Sequence, residues 1–114
     1  MASLRSIKSK REFDLLYRKG KTCNGSFFYL KCLPSKKADE VSRFSIVVGL
    51  KISKKAVERN RKRRQLREII RLNLDKIKKG FLVLVIAKEE ILEAEYLELE
   101  REFLGLIKKA GIAN

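Results

Sequence analysis

The chain of 114 residues has no histidine and no tryptophan, one proline (Pro34) and two cysteines. Each scarcity closes off a class of function. Without histidine there is no Ser/His or Cys/His pair for nucleophilic catalysis, and no imidazole to move a proton near neutral pH. Cys23 and Cys32 form no CxxC, which argues against a zinc centre. They read as reduced residues rather than a disulfide. None of the glycines builds a phosphate-cradling loop, and no repeat or proline-rich linker breaks the chain. The longest apolar run, FLVLVIA (Phe81–Ala87), is too short to cross a bilayer. The N-terminal MASLRSIKSKREF lacks the apolar stretch of a signal peptide. The expectation is one cytoplasmic domain, residues 1–114, with a modest core, no membrane association and no obligate protein partner.

Carboxylates are scarce where the lysines and arginines are dense. The net charge is +14. Through Lys88 there are 25 Lys and Arg against 7 Asp and Glu, a net +18; beyond it there are 3 against 7, a net −4. Such an excess calls for a polyanion, nucleic acid before anionic membrane, and places its contact in the first 88 residues. The acidic C-terminal segment reads as scaffold.

The elements follow from pattern. SKREFDLLYRKG opens with Ser9 and has Glu12 three residues on, a capping-box pattern, and Gly20 offers a stop. This predicts a first helix. Ser26–Leu33 and Ser42–Ile52 read as strands, and residues 21–24 as a short edge strand. A second helix starts near Ala56, with Leu66, Ile69, Ile70 and Ile77 at helical spacing and Lys78-Lys79-Gly80 as its end. Phe81–Ala87 reads as a central strand covered on both faces. EEILEAEYLELEREFLGLIKKAG closes the chain as an acidic amphipathic helix offering Ile91 or Leu92, Leu97, Leu104 and Ile107 to the sheet. Together they predict an α+β sandwich.

Two constellations carry the chemistry. Between Glu58 and Gln65 lie Arg59, Asn60, Arg61, Lys62, Arg63 and Arg64, with no apolar side chain. Arg59, Arg63, Arg67 and Arg71 repel along an i,i+4 row, and cations at a helix N-terminus oppose the macrodipole. A phosphate partner relieves both costs, because arginine forks pair with phosphate oxygens and N-terminal N–H groups favour anions. Membrane binding would need large apolar residues opposite the charges, and Glu58–Gln65 has none. The second constellation is aromatic. Phe13 and Tyr17 are one helical turn apart, while Phe27, Tyr29 and Lys31 alternate onto one strand face. Each is also suited to core packing; a basic cleft floored by aromatics would hold single-stranded nucleic acid. No catalytic side-chain set is present.

At GLKISKKAVERNRKRRQLRE the sequence resembles the bacterial ribonuclease P protein family. The family pattern A-V-x-R-N-R-x-K-R-x-x-R is met by Ala56, Val57, Arg59, Asn60, Arg61, Arg63 (where lysine is usual), Arg64 and Arg67. Val48-Gly49-Leu50, Ser53-Lys54-Lys55, EFDLLYRKG and FLVLVIAK extend the likeness over nearly the whole chain. The family typically has a few more residues, including a glycine, between Lys55 and Ala56. The resemblance implies a two-layer αβββαβα sandwich with a four-stranded mixed sheet and a left-handed βαβ crossover, against the usual right-handed rule. It implies an endoribonuclease active only as a ribonucleoprotein, in which an RNA subunit with Mg²⁺ removes the 5′ leader of precursor tRNA. The leader then lies against Phe13, Tyr17, Phe27, Tyr29 and Lys31. Lys54, Lys55, Arg59, Asn60, Arg61, Lys62, Arg63, Arg64 and Arg67 meet RNA. The rival reading is a non-catalytic ribosomal RNA-binding protein, equally small and basic.

Overall fold

The computed structural model describes residues 5–114. Helix α1 (Lys10–Lys19) starts at its cap, where Ser9 Oγ accepts from the Glu12 N–H at 3.3 Å. Gly20 ends it, its N–H donating to the Leu16 carbonyl at 2.8 Å. Strands β1 (Lys21–Asn24), β2 (Phe28–Pro34), β3 (Arg43–Val47) and β4 (Phe81–Ala87) form one mixed sheet in the order β1-β2-β4-β3. β1–β2 and β2–β4 pair antiparallel and β3–β4 parallel. Helix α2 (Ala56–Leu72) is therefore the crossover between parallel neighbours, and β4 is central as its unbroken apolar run requires. The predicted α+β architecture and the edge strand at residues 21–24 are present.

Alternation along the strands sorts the side chains. Phe28, Leu30 and Cys32 of β2, with Val83 and Val85 of β4, face the main core. There they meet Leu66, Ile69 and Ile70 of α2 and Leu99, Phe103 and Ile107 of helix α3 (Tyr96–Lys109). Sheet and α2–α3 are the two principal layers, each buried Leu or Ile contributing about 1.5–3 kcal/mol. The lone α1 lies on the opposite face over a smaller cluster, with Leu16 on Leu82 and Leu84 and with Phe13, Leu33, Val47 and Ile86 around them.

Several boundaries differ from the sequence expectation. β3 stops at Val47 rather than Ile52, because the chain turns at Gly49, whose carbonyl accepts from the Ile52 N–H at 3.0 Å. α2 ends at Leu72: the Asn73 side chain donates to the Ile69 carbonyl at 2.7 Å, and Leu74–Lys76 tightens into a 3-10 turn. Gly80 is thus no helix cap. Its φ of +84° carries the turn into β4, where a Cβ would stand 2.7 Å from the Ala38 carbonyl oxygen. The C-terminal helix splits into a 3-10 turn (Glu89–Glu93) and α3, whose start is closed by a Glu95–Glu98 capping box. Leu97 is 68% exposed, whereas Leu99, Phe103 and Leu106 are buried. The acidic segment is scaffold in a specific way: Glu102 accepts the N–H groups of Ser26, Phe27 and Phe28 at 2.6, 2.8 and 3.2 Å, anchoring the β1–β2 turn to α3. Gly25 admits that carboxylate, since a Cβ would lie 2.6 Å from its carbon.

Candidate nucleic-acid interface

α1 crosses the sheet from β3 towards β1. At its start both Glu12 oxygens accept from the Arg43 guanidinium; near its end Lys31 Nζ donates to the Tyr17 carbonyl at 2.6 Å. The same ammonium stands 4.8 Å from the centroid of the Tyr17 ring, within cation–π range. Tyr17 is 51% exposed. On this side of α1 the strand register sets Tyr29, Ile86 and Val47 in one row across β2, β4 and β3. The row ends at Val48, whose carbonyl accepts from Arg63 Nη2 at 3.0 Å. An aromatic-floored trough therefore opens onto the start of α2. Burial, with Tyr17 nearby, raises the Tyr29 pKa above its ordinary 10.0.

The start of α2 is built from the turn before it. Lys55 is the N-cap and offers no side-chain cap. Ser53 substitutes, accepting from the Lys55 N–H at 3.1 Å and donating to Glu58 Oε1 at 2.5 Å. This closes the short Lys55–Ala56 junction and places Glu58 in the first turn, where its charge suits the helix dipole. The first two arginines of the row are held by carbonyls. Arg59 Nη1 donates to the Ser53 carbonyl at 2.8 Å, and Arg63 also reaches Asn60 Oδ1 at 2.6 Å. Lys54, Lys55, Asn60, Arg61, Arg64 and Arg67 are exposed.

Two expected contacts are displaced from this surface. Lys62 is 7% exposed, and its ammonium donates to the Ala94 carbonyl at 2.8 Å. It is a strut between α2 and the start of α3; burial, with Arg61 adding to it, lowers its pKa. Position 62 lies four residues before Leu66 and seven before Ile69, so the core stripe passes through it; that spacing is the signal in the sequence. Phe27 leaves the trough because β2 begins only at Phe28: the alternation does not reach it, and its ring packs towards the main core beside Glu102. Phe13 is partly buried in the α1 cluster. Sequence reasoning missed the Val48 carbonyl and the Glu12–Arg43 pair, which join segments far apart in the chain, and the local cap that Ser53 supplies through Lys55 and Glu58.

A family model described as Ribonuclease P matches residues 1–111. The chain belongs to the ribonuclease P protein family. A curated relative named ribonuclease P protein component, from a Synechococcus species, is 37% identical over 108 residues, covering 93% of this chain and 81% of the relative. The RNase P protein of Staphylococcus aureus superposes with a TM-score of 0.85 at 25% identity, covering 98% of this chain and 100% of that one. The RNase P protein of Thermotoga maritima gives 0.81 at 29% identity, covering 92% and 96%. Membership in the ribonuclease P protein family implies association with the ribonuclease P RNA and ribonuclease P activity as a ribonucleoprotein. No helix among the described residues is long and apolar enough to cross a membrane.

Proposed function

We propose that this chain holds the 5′ leader of precursor tRNA in the trough beside α1 and docks the start of α2 on the ribonuclease P RNA in the cytoplasm. The observation that carries the reading is the continuity of the surface: Tyr17, Lys31 and Tyr29 lead through Ile86 and Val47 to Val48 and Arg63. Bases of a single strand stack on the aromatic rings while its phosphates meet Lys31. Arg61, Arg64 and Arg67 extend exposed guanidinium forks to phosphates of the RNA subunit, with Lys54 and Lys55 beside them. Mg²⁺ is assigned mainly to the RNA subunit. The protein then contributes binding and orientation, and the RNA performs the cleavage.

The test separates the two surfaces by ligand. Arg64→Ala removes a phosphate contact and weakens holoenzyme affinity for precursor and mature tRNA alike. Tyr17→Ala removes a half-exposed stacking platform, worth about 1–3 kcal/mol per base, and weakens only the precursor. A folded Tyr17→Ala protein, checked by circular dichroism, that keeps full precursor preference would remove the leader from the trough.

A further inference from the structure

We propose that the groove on the far side of α1 from the trough is a second RNA site, which takes a nucleotide from a single-stranded stretch of the RNA subunit. The inference rests on the reading that this chain docks on that RNA. α1 divides the upper face of the sheet. Tyr29, Ile86 and Val47 lie towards one side of it; Leu33 and Pro34, at the other end of β2, lie towards the opposite side. There a cavity of about 420 Å³ opens between α1 and the chain leaving β2, within the range of roughly 300–1,000 Å³ typical of small-ligand pockets.

Its chemistry is that of a nucleotide cradle. Leu15, Leu33 and Pro34 form an apolar floor, and Arg11, Arg18 and Lys36 stand around it. Arg11, Leu15 and Arg18 recur at four and three residues along α1, so the two arginines flank the leucine on one helix face. All three cations are exposed, and none bonds to a protein group among the described residues. The one carboxylate in the lining, Glu12, has both oxygens engaged by Arg43. The groove therefore presents three uncompensated positive charges around an apolar surface. A base fits the floor and its phosphates fit the arginine forks. A leader lying in the trough would have to climb over α1 to reach this groove, so the occupant is assigned to the RNA subunit.

The experiment measures affinity of the full chain for a bacterial ribonuclease P RNA without precursor tRNA. The variant Arg11→Ala/Arg18→Ala/Lys36→Ala is compared with Lys76→Ala/Lys108→Ala/Lys109→Ala, which removes the same charge from exposed positions elsewhere. The groove variant is expected to bind about tenfold or more weakly and to lower the log–log salt slope by about 2, while the control moves affinity less than about threefold. Equal effects from both would overturn the site. In a second arm, Lys36→Cys carrying a benzophenone is irradiated in the holoenzyme with precursor tRNA. Crosslinking to the RNA subunit supports the assignment, whereas crosslinking to precursor tRNA, or to no RNA, refutes it. Arg63→Ala/Arg64→Ala is run alongside. If that pair weakens binding and the groove variant does not, the groove alone fails; if neither does, the RNA-docking reading fails with it.

Discussion

Glu12 and Arg43 meet in a two-pronged ion pair, Nη1 to Oε1 at 2.9 Å and Nη2 to Oε2 at 2.5 Å, which pins the first turn of α1 to the first residue of β3. α1 lies apart from the main core on its own small cluster, so this pair and the Lys31–Tyr17 contact set where the helix stands over the sheet. The side chains are 23% and 29% exposed, between the surface and buried regimes. Arg43→Ala is expected to cost about 1–2 kcal/mol in urea unfolding and to blunt precursor preference, and the exchange Glu12→Arg/Arg43→Glu to recover part of both. Unchanged stability in Arg43→Ala would mean that the pair holds nothing in place.

Without RNA the polypeptide is expected to have no nuclease activity. The sequence has no histidine to move a proton near neutral pH, and the expectation rests on the reading that the RNA subunit performs the chemistry. Cleavage of precursor tRNA by protein freed of RNA and contaminating nuclease would contradict a division of labour in which the RNA performs the chemistry.

Binding to the RNA subunit should weaken steeply with salt. Each phosphate neutralised on single-stranded RNA contributes about −0.7 to the log–log slope, so several arginines of α2 should give about −3 or steeper. A titration of affinity against salt measures it, and a nearly flat response would detach the basic helix from RNA.

The sequence carried local signals well and long-range ones poorly. Ser9, the central strand Phe81–Ala87 and the basic start of α2 were legible because each depends on neighbours in the chain. The end of α2 was not: Ile77 keeps helical spacing from Ile70 although a 3-10 turn separates them, and Asn73 ends the helix through bonds to the Ile69 carbonyl and the distant Glu100. Within the site, the type of residue revealed charge but not direction. Lys62 sits in the basic run yet points inward, and Phe27 misses the trough because its strand begins one residue later. The groove rim of Arg11, Arg18 and Lys36 draws on two segments that only the fold joins.

The pH dependence of stability separates the role of Lys62 from that of its exposed neighbours. Burial, then Arg61, holds its pKa below the ordinary 10.5. Between the lowered native value and 10.5 the unfolded chain binds the extra proton, so stability contributed by this group rises with pH. Cys32 acts in the opposite sense. Burial, then Cys23, pushes its thiol from 9.0 to about 11, with Lys21 opposing. Here the unfolded chain loses its proton first, and stability falls as pH rises from 9.0 to about 11. The two windows overlap, so urea unfolding across this alkaline range should show their opposed contributions partly cancelling in the parent. Lys62→Met should remove the rising contribution, and Cys32→Ala should reduce the falling one, to which Tyr29 and Tyr96, both raised from 10.0, also add. Lys62→Met should also leave affinity for the RNA subunit near that of the parent, whereas Arg64→Ala should weaken affinity without altering the alkaline profile. If Lys62→Met instead keeps the profile and loses RNA affinity, the ammonium is a phosphate contact and not a strut on Ala94.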